Sequence, residues 1–424
     1  ILDPNSFLPS KSFLITRHQI EASKVFKIIK KLPKGAVLHA HSAAIVPADW
    51  TFNATYRENL YVSNESGWMS LEFFKNPPES SRWKLLSDLR KDPKVASALN
   101  KDIRDRMSME VDNPDAVYTD VNKIWDKFND IFRLQGAMIT EIYEDYLYEA
   151  LNELYEDNVM YLELRLALLK LTTDDLANAL RKITRVDKRF RKEHPDFIGV
   201  KVIIAVRRSV NPSQFKNYIN RVLKLQEMFP EYIVGLDLIG QEDRGRPLKE
   251  FSKELTALRD RMYLFLHAGE TNWYGTPIDE NLIDAVLLNT KRIGHAYAII
   301  KHPKLVEYVK EHRIAIEVCP ISNQVLGLVK DLRNHPAAVL FAENVPVVIS
   351  NDDPGLWGAK GLSYDFYEAF MGIMSRNMDI RALKQLAMNS IIFSGLDGEK
   401  KTTAMKIWRR KWSVFVEEII NGDY

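Results

Sequence analysis

Four short polar clusters stand at the ends of apolar stretches of this sequence, and their residue types suit metal chemistry. The first is His39-Ala40-His41, and the others contain His267, His295 and Asp352. Side chains at positions i and i+2 of a strand point to the same face, so His39 and His41 can act together. Three histidines and one aspartate can hold a divalent ion and leave a position open for water, as in a catalytic metal site.

We predict that the metal ligands are His39, His41, His267 and Asp352. A set of three nitrogen ligands and one oxygen ligand suits one zinc ion per chain, although iron, cobalt or manganese would also be accommodated. Zinc lowers the pKa of a bound water to about 7, so hydroxide would be available near neutral pH. The pattern therefore indicates a metal-dependent hydrolytic enzyme.

Three further side chains are candidates for moving protons. His295 could accept or steer the proton of the attacking water, and the alternative is a core histidine that donates to a backbone carbonyl. Glu270 follows His267 by three residues and could be a general acid if burial raises its pKa, or simply a helix N-cap. Asp353 diverges from its neighbour Asp352 and is better placed to hydrogen-bond a substrate or the water.

Eight apolar or β-branched runs could position these residues. They span residues 36–41, 159–164, 200–206, 233–239, 263–268, 292–295, 314–319 and 345–351. Most are nearly continuous, which is typical of parallel strands that are covered on both faces. Helical patterns lie between the later runs, at 176–190, 211–228, 247–261, 279–288, 303–311 and 332–343. Strand and helix alternate eight times, so we predict an α/β protein with a (β/α)8 barrel, whose strand ends converge on one active face.

Three segments lie outside this rhythm. Residues 51–115 are polar and aromatic, and we predict that they form an inserted subdomain after the first strand. Residues 1–32 are expected to be an N-terminal helical extension, with an amphipathic helix over 18–32 whose lysines face solvent or a subunit contact. Residues 33–50 and 116–424 would then form the barrel domain.

Composition excludes several classes of protein. Of 424 residues, 46% are hydrophobic and 27% are charged, which is ordinary for a globular protein. The 59 basic residues nearly balance the 57 acidic ones, so nothing favours nucleic acid or a membrane surface as a partner. The apolar runs are too short to span a bilayer. There is no Walker A motif, no GxGxxG after the first strand and no GxSxG elbow.

Two features bear on the compartment. The chain begins at Ile1, which we interpret as a mature or trimmed chain. The sequons Asn53-Ala54-Thr55 and Asn64-Glu65-Ser66 are typical of an exposed loop in a secreted glycoprotein. The single cysteine, Cys319, ends an apolar run, and we expect a small buried hydrophobe rather than a nucleophile.

The motifs HAH, HAGE, RIGHA, EVCPISN and SNDDP, in this order, resemble the adenosine deaminase family of the amidohydrolase superfamily. The likeness runs from about residue 32 to the C-terminus, and it is strongest to the secreted branch of adenosine deaminase-related growth factors and adenosine deaminase 2 proteins. It implies an amidohydrolase TIM barrel, zinc, and hydrolysis of adenosine or 2′-deoxyadenosine to inosine or 2′-deoxyinosine with release of ammonia. It also implies secretion, and a homodimer formed through the N-terminal helices.

The resemblance also implies roles for individual residues. The ligand set matches the four residues named above, and His295 matches the histidine that orients the hydroxide. Glu270 matches the acid that protonates purine N1. Asp353 matches the residue at purine N7, and Gly240 the glycine whose N–H meets N3. Trp125 resembles a tryptophan that lines the nucleoside pocket, and packing on its own helix is a nearly equal alternative.

Three positions depart from the family pattern. Ser42 stands where an aspartate usually binds a sugar hydroxyl, and a neutral hydrogen bond is weaker than a charge-assisted one. Gln241 replaces a frequent histidine, and Ala296 replaces a glycine. These changes leave two alternatives to an adenosine deaminase open. One is a secreted nucleoside-binding, growth-factor-like protein with weak or lost catalysis, and the other is a deaminase of another purine.

Overall fold

Eight parallel strands form a nearly closed barrel in the computed structural model, which describes residues 6–65, 67–76, 79–80, 82–167 and 172–422. The strands are Gly35–His41 (β1), Val159–Ala167 (β2), Gly199–Arg207 (β3), Ile233–Ile239 (β4), Tyr263–Ala268 (β5), Arg292–His295 (β6), Ala315–Val318 (β7) and Val347–Ile349 (β8). Each strand overlaps one of the eight predicted runs, although β1, β2 and β3 extend one to three residues beyond theirs, and neighbours pair in chain order. The predicted (β/α)8 barrel is therefore confirmed.

The barrel closes between its first and last strands. A parallel bridge joins Ala40 of β1 to Asp352, three residues beyond the end of β8. The backbone N–H of Asp352 donates to the carbonyl of His39, and the N–H of His41 donates to the carbonyl of Asp352, both at 3.0 Å. Closure therefore takes place at the carboxyl ends of the strands, beside the predicted metal ligands.

Helices cover the outside of the barrel because each strand needs an apolar partner on its outer face. They are Thr173–Glu193, Pro212–Met228, Ser252–Leu258, Asn281–Leu287, Pro303–Glu311, Pro320–Val325, Ala337–Ala342, Ser363–Glu368, Ile380–Ile392 and Gly398–Asn421, with 3₁₀ turns at Leu8–Ser10, Leu248–Phe251, Tyr297–Lys301, Leu332–Asn334 and Pro354–Trp357 and a π turn at Ala369–Ile373. The predicted helix over 176–190 begins earlier, because Thr172 caps it: its hydroxyl accepts from the N–H of Asp175 at 3.2 Å.

Residues 48–107 fold beside the barrel around a core of their own. The segment contains helices Ala48–Ala54, Leu86–Leu89 and Pro93–Met107, and a three-stranded antiparallel sheet of Leu60–Glu65, Trp68–Phe73 and Trp83–Leu85. Its apolar core shares Leu134 and Met138 with the long helix Val121–Glu141. Helices Pro114–Val117, Val121–Glu141 and Tyr143–Glu156 then lead the chain back to β2.

Two short helices precede β1 in place of the single predicted helix over 18–32. They are Phe13–Glu21 and Lys24–Lys31, and the backbone is extended at Ser23 between them. The break lets rings from both helices reach one tyrosine: Phe13 and Phe26 lie 5.4 and 4.7 Å from the ring of Tyr364. Tertiary packing therefore overrides the helical pattern here. Residues 1–5 of the expected extension lie outside the described residues.

Within the described part of the chain, every helix is too short or too polar to cross a bilayer.

Candidate active site

Three imidazoles meet at the carboxyl ends of two strands. His39 and His41 close β1, and His267 lies near the end of β5. The ring of His39 is 5.4 Å from that of His41 and 4.6 Å from that of His267, centroid to centroid. One nitrogen from each ring lies within 4.8 Å of the other two. The barrel therefore brings the three predicted histidines close enough to share one cation.

Asp352 adds an oxygen to this cluster. Its Oδ1 atom is 3.2 Å from Nε2 of His39 and 3.1 Å from Nε2 of His41. Its backbone has a φ of 59°, in the left-handed region that a non-glycine residue seldom adopts. Such strain is retained where the surrounding structure fixes it, and functional sites are common among such places.

The donor chemistry of these residues fits a metal ion. The Nδ1 atom of His39 is 2.7 Å from the Glu317 carboxylate, so Nδ1 carries the hydrogen and Nε2 presents a lone pair. That Nε2 atom and Oδ1 of Asp352 are buried without hydrogen-bond partners among the described residues. Two lone pairs 3.2 Å apart repel each other unless a cation lies between them. The His and Asp cluster therefore fits a metal site.

A second layer of carboxylates fixes the ligand rings. Glu317 of β7 holds His39, and Asp237 of β4 lies 2.7 Å from Nδ1 of His267. Arg165 bridges the two acids at 2.7 Å each. Burial alone would raise the pKa of Glu317, but Arg165 and its neighbour Arg292 hold it well below the usual range. Hydrogen-bonded partners of this kind orient metal ligands.

This second layer was missed by the sequence reasoning. Its signal was nevertheless present, because Glu317, Asp237 and Arg165 are charged residues inside otherwise apolar strands. A fully buried charge is almost always paired or bound to a metal. Burial also lowers the pKa of His267 to about 4, so its ring is neutral at pH 7, as a metal ligand must be.

Glu270 and His295 face each other beside the ligand cluster. Oε1 of Glu270 is 3.2 Å from Nε2 of His295, and the same nitrogen is 3.8 Å from Oδ2 of Asp352. Burial, and then the charges of Asp352 and Glu242, raise the pKa of Glu270 well above its usual range. The structure therefore favours a protonated Glu270, which could donate to a substrate. It is not a helix cap, because the next helix begins only at Asn281 and its N-cap residue is Glu280.

Glu242 fixes the loop that carries Glu270. Its carboxylate accepts from the backbone N–H groups of Gly269 at 3.0 Å and Glu270 at 2.6 Å. His295 is held by a different device, a tight three-residue turn in which the N–H of Ala296 donates to the carbonyl of Gly294 at 2.8 Å. The φ of His295 is 60°, as in the rare and strained γ-turn. Glu270 and His295 thus both sit on constrained backbone.

A cavity of about 660 Å³ opens above this cluster, a size that suits a small molecule. Its lining includes Asp353 and the other predicted contacts Ser42, Trp125, Gly240 and Gln241. The structure thus brings every predicted site residue except His39 to the surface of one cavity, and His39 lies directly behind it.

Cys319 is buried and burial raises the pKa of its thiol, in keeping with a packing role.

The predicted contacts are held in different ways. Gly240 has a φ of 98°, and a Cβ atom there would meet nothing within 4 Å, so its backbone faces open space. The amide of Gln241 donates to the side-chain oxygen of Asn122 at 2.9 Å. Trp125 packs 5.5 Å from the ring of Phe128 and also lines the cavity, so both roles expected for it are compatible.

The surroundings of Ser42, Asp353 and Ala296 differ from one another. Burial raises the pKa of the Tyr143 phenol, and the nearby Ser42 hydroxyl opposes that shift. Burial, followed by the charge of Asp352, raises the pKa of Asp353 well above its usual range. Ala296 is only 1% exposed and does not line the cavity, so its methyl group does not crowd the space available to a ligand.

A parallel eight-stranded barrel, with a His and Asp cluster that fits a metal site at the carboxyl ends of its strands, is a TIM barrel of the amidohydrolase type. The sequence model of the family described as adenosine deaminase matches residues 97–407. The chain belongs to the adenosine deaminase family.

Individual relatives support this assignment over nearly the whole chain. An adenosine deaminase of Phlebotomus duboscqi is 43% identical over 430 residues, which cover 98% of this chain and 83% of the relative. Adenosine deaminase 2 of Homo sapiens is 42% identical over 429 residues, which cover 97% of this chain and 84% of the relative.

Solved structures share the fold at low sequence identity. The Arabidopsis N6-mAMP deaminase is 18% identical, with a TM-score of 0.67, over 91% of this chain and 99% of that one. An amidohydrolase of Burkholderia ambifaria, solved with bound zinc, has a TM-score of 0.63 at 18% identity, over 93% of this chain and 94% of that one. At these identities the likeness concerns the fold.

Proposed function

We propose that this chain hydrolyses adenosine and 2′-deoxyadenosine to inosine and 2′-deoxyinosine, with release of ammonia. The observation that carries the proposal is the placement of Glu270 and His295 beside the ligand cluster at the base of one cavity. A hydrolytic deaminase needs an activated water and a proton donor for the purine ring. His295 would serve the water, and Glu270 would be the proton donor.

We propose zinc as the resident ion, held by His39, His41, His267 and Asp352. A divalent ion at this cluster would acidify water and so supply a nucleophile at neutral pH. The protein's own contribution is to fix the rings of His39 and His267 through the carboxylates of Glu317 and Asp237.

The remaining side chains would bind and polarise the purine. Glu270, protonated by virtue of its burial, would donate to N1 and make C6 more electrophilic. Asp353 would contact N7, and the N–H of Gly240 would meet N3. His295 would orient the attacking oxygen. At the sugar end we assign Ser42, Gln241 and Trp125, which line the same cavity.

A turnover panel tests the proposal. The purified protein, loaded with zinc, is incubated with adenosine, 2′-deoxyadenosine and adenine, and ammonia release and the purine product are measured. We expect both nucleosides to be deaminated and adenine to be the poorer substrate, because it lacks the sugar that the outer cavity would bind. The matched control is the same protein after chelation.

Each other outcome has a definite meaning. No turnover of either nucleoside, with bound zinc confirmed by metal analysis, would overturn the proposal and favour a nucleoside-binding protein without catalysis. Turnover of adenine alone would identify a deaminase of another purine. Turnover of nucleosides that survives chelation would contradict the metal-dependent mechanism.

We further propose that the protein is a secreted homodimeric glycoprotein. In support, the sequon residues Asn53 and Asn64 are both exposed. Helix Lys24–Lys31 buries Phe26 and Ile29 and exposes its lysines, so its outer face is accessible to a second copy of the chain. Mass spectrometry of the protein from its native medium tests glycosylation, and light scattering at several concentrations tests dimerisation. An unglycosylated, monomeric protein would contradict both.

A further inference from the structure

A chain of three buried polar side chains leads from the barrel wall to the active site. His335 follows the short turn Leu332–Asn334, Asn323 lies in helix Pro320–Val325, and His295 ends β6. Their exposed fractions are 3%, 1% and 3%. Water therefore cannot satisfy their polar atoms freely, and the hydrogen bonds among them decide where each hydrogen sits.

The first hydrogen bond of the chain fixes the protonation of His335. The backbone N–H of Ala337 is 3.0 Å from Nδ1 of His335. A backbone N–H can only donate, so Nδ1 is an acceptor. Burial lowers the pKa of His335 to about 3, so the ring is neutral at pH 7. A neutral imidazole with an accepting Nδ1 carries its hydrogen on Nε2.

The second hydrogen bond fixes the orientation of Asn323. Nε2 of His335 is 2.9 Å from Oδ1 of Asn323, and this nitrogen must donate. The partner atom is therefore the amide oxygen, which leaves the amide nitrogen on the other side. That Nδ2 atom is 3.4 Å from Nδ1 of His295. Since an amide N–H₂ only donates, Nδ1 of His295 accepts.

We propose that Asn323, oriented by His335, is a positioning residue that holds His295 in the tautomer with its hydrogen on Nε2. That nitrogen is the one that lies 3.2 Å from Glu270 and 3.8 Å from Asp352. His295 therefore presents a donor to the reaction site and turns its lone pair away from it.

The sequence left open whether His295 accepts the proton of the attacking water or only steers that water, and this arrangement favours the second role. A ring with a hydrogen on Nε2 can steer an attacking oxygen through a hydrogen bond, whereas it has no lone pair there to accept a proton. The catalytic consequence rests on the proposed function. The tautomer itself does not, because it can be observed in the protein without substrate.

The test uses nitrogen chemical shifts of the histidine rings, which distinguish the two neutral tautomers. Protein labelled with ¹⁵N-histidine is measured with and without zinc, and the His295 signals are assigned from their loss in His295→Gln. We expect the Nε2–H tautomer in the wild type. In Asn323→Asp the carboxylate can only accept, so we expect His295 to move its hydrogen to Nδ1.

Kinetics provide a second readout. Asn323→Leu removes the donor at similar volume, and we expect kcat for adenosine to fall about 10- to 100-fold, as for other residues that orient active-site groups, while KM changes less than about threefold. His335→Gln keeps an amide N–H that can donate to Asn323, so it should retain more activity than His335→Leu. That rescue is not expected if His335 only fills space.

The matched control is Asn389→Leu. Asn389 is also buried and donates to the carbonyl of Val347 at 2.8 Å, at the opposite end of the barrel. It should lose stability as Asn323→Leu does, yet keep kcat and the His295 tautomer. A wild-type His295 with its hydrogen on Nδ1 would overturn the proposal, as would an unchanged tautomer and kcat in Asn323→Leu. If no variant or wild-type protein turns over adenosine, the proposed function fails, and the shifts still decide the tautomer.

Discussion

Asp352 donates its backbone N–H to the carbonyl of His39 at 3.0 Å, while its carboxylate lies 3.2 Å from Nε2 of the same histidine. One pair of residues thus joins the first strand to the end of the last strand and also provides two atoms of the candidate metal site. Fold and chemistry are coupled at this point, which makes the ligand assignment testable through stability as well as activity.

The first prediction separates the two adjacent aspartates. Asp352→Asn should lower zinc content strongly, because a neutral amide replaces a carboxylate ligand. The wild type at a zinc concentration 100 times its Kd should gain ~2.7 kcal/mol in unfolding free energy. This gain should be largely lost in Asp352→Asn. Metal analysis and thermal unfolding with and without zinc measure both effects.

Asp353→Asn is the matched variant for that experiment. Its side chain is buried beside Asp352 but is assigned to the substrate, so zinc content should remain near the wild-type value while KM rises. Loss of zinc from Asp353→Asn to the same degree would show that Asp353, which lies within reach of His41 and Asp352, is a ligand.

The second prediction concerns the proton donor. Glu270→Gln should lower kcat at least about 100-fold, because the amide cannot release a proton to the purine. Metal content should stay constant, since Glu270 faces His295 rather than the ligand histidines. Glu280→Gln, an exposed position on the same side of the barrel, is the control and should be fully active. An active Glu270→Gln variant would assign the acid to another residue.

The third prediction compares two glycines with similar backbone conformations. Gly269 and Gly275 have φ values of +76° and +70°. Alanine at either site should cost ~1 kcal/mol, because a side chain is disfavoured in this region. At Gly269 the new Cβ would also lie 2.7 Å from the Leu282 side chain, whereas at Gly275 it would meet nothing within 4 Å.

We therefore expect Gly269→Ala to lose a further ~1–3 kcal/mol from overpacking. Its kcat should also fall, because the Glu242 carboxylate that positions Glu270 binds the N–H of Gly269. Urea unfolding and steady-state kinetics of the two variants measure these differences. Equal losses in both variants would mean that Leu282 moves aside without cost.

The fourth prediction concerns pH and stability. Burial, and then the charge of Asp365, raise the pKa of Glu368 from its ordinary value of 4.5 to about 8. The unfolded chain therefore releases this proton at a lower pH than the folded protein does. Between these two pKa values the folded state holds more protons, so this group lowers stability as pH rises.

Glu368→Gln should remove that contribution. From pH 5 to pH 8 the wild type should lose on the order of 3 kcal/mol more unfolding free energy than the variant, at 1.36 kcal/mol per pKa unit. Urea unfolding at several pH values measures the difference. Parallel pH profiles for the two proteins would show that Glu368 is ionised in the folded state at neutral pH.

The eight strands and the ligand cluster could be predicted because both leave local signals. Strands that are covered on both faces are continuous apolar runs, and the chemistry stands where those runs end. The last run was predicted too long: β8 contains only Val347–Ile349, because the chain turns towards the left-handed Asp352.

Features that depend on distant packing could not be predicted. The break at Ser23 exists because Phe13 and Phe26 converge on Tyr364. The roles of Asn323 and His335 follow from hydrogen bonds between elements that the sequence does not show to be neighbours. Glu317 and Asp237 were identifiable as buried charges, but their histidine partners became visible only in three dimensions.

The wall of the barrel is most weakly connected where its first strand meets the end of its last strand. β1 pairs with β2 over much of its length. On its other side, the described residues show one ladder contact, the bridge from Ala40 to Asp352 just beyond the end of β8. An ion shared by His39, His41 and Asp352 would link β1 to the segment that follows β8. Removal of the ion should therefore first lower the hydrogen-exchange protection of the backbone amides between β1 and this segment. The loss of protection should appear well before the whole protein unfolds.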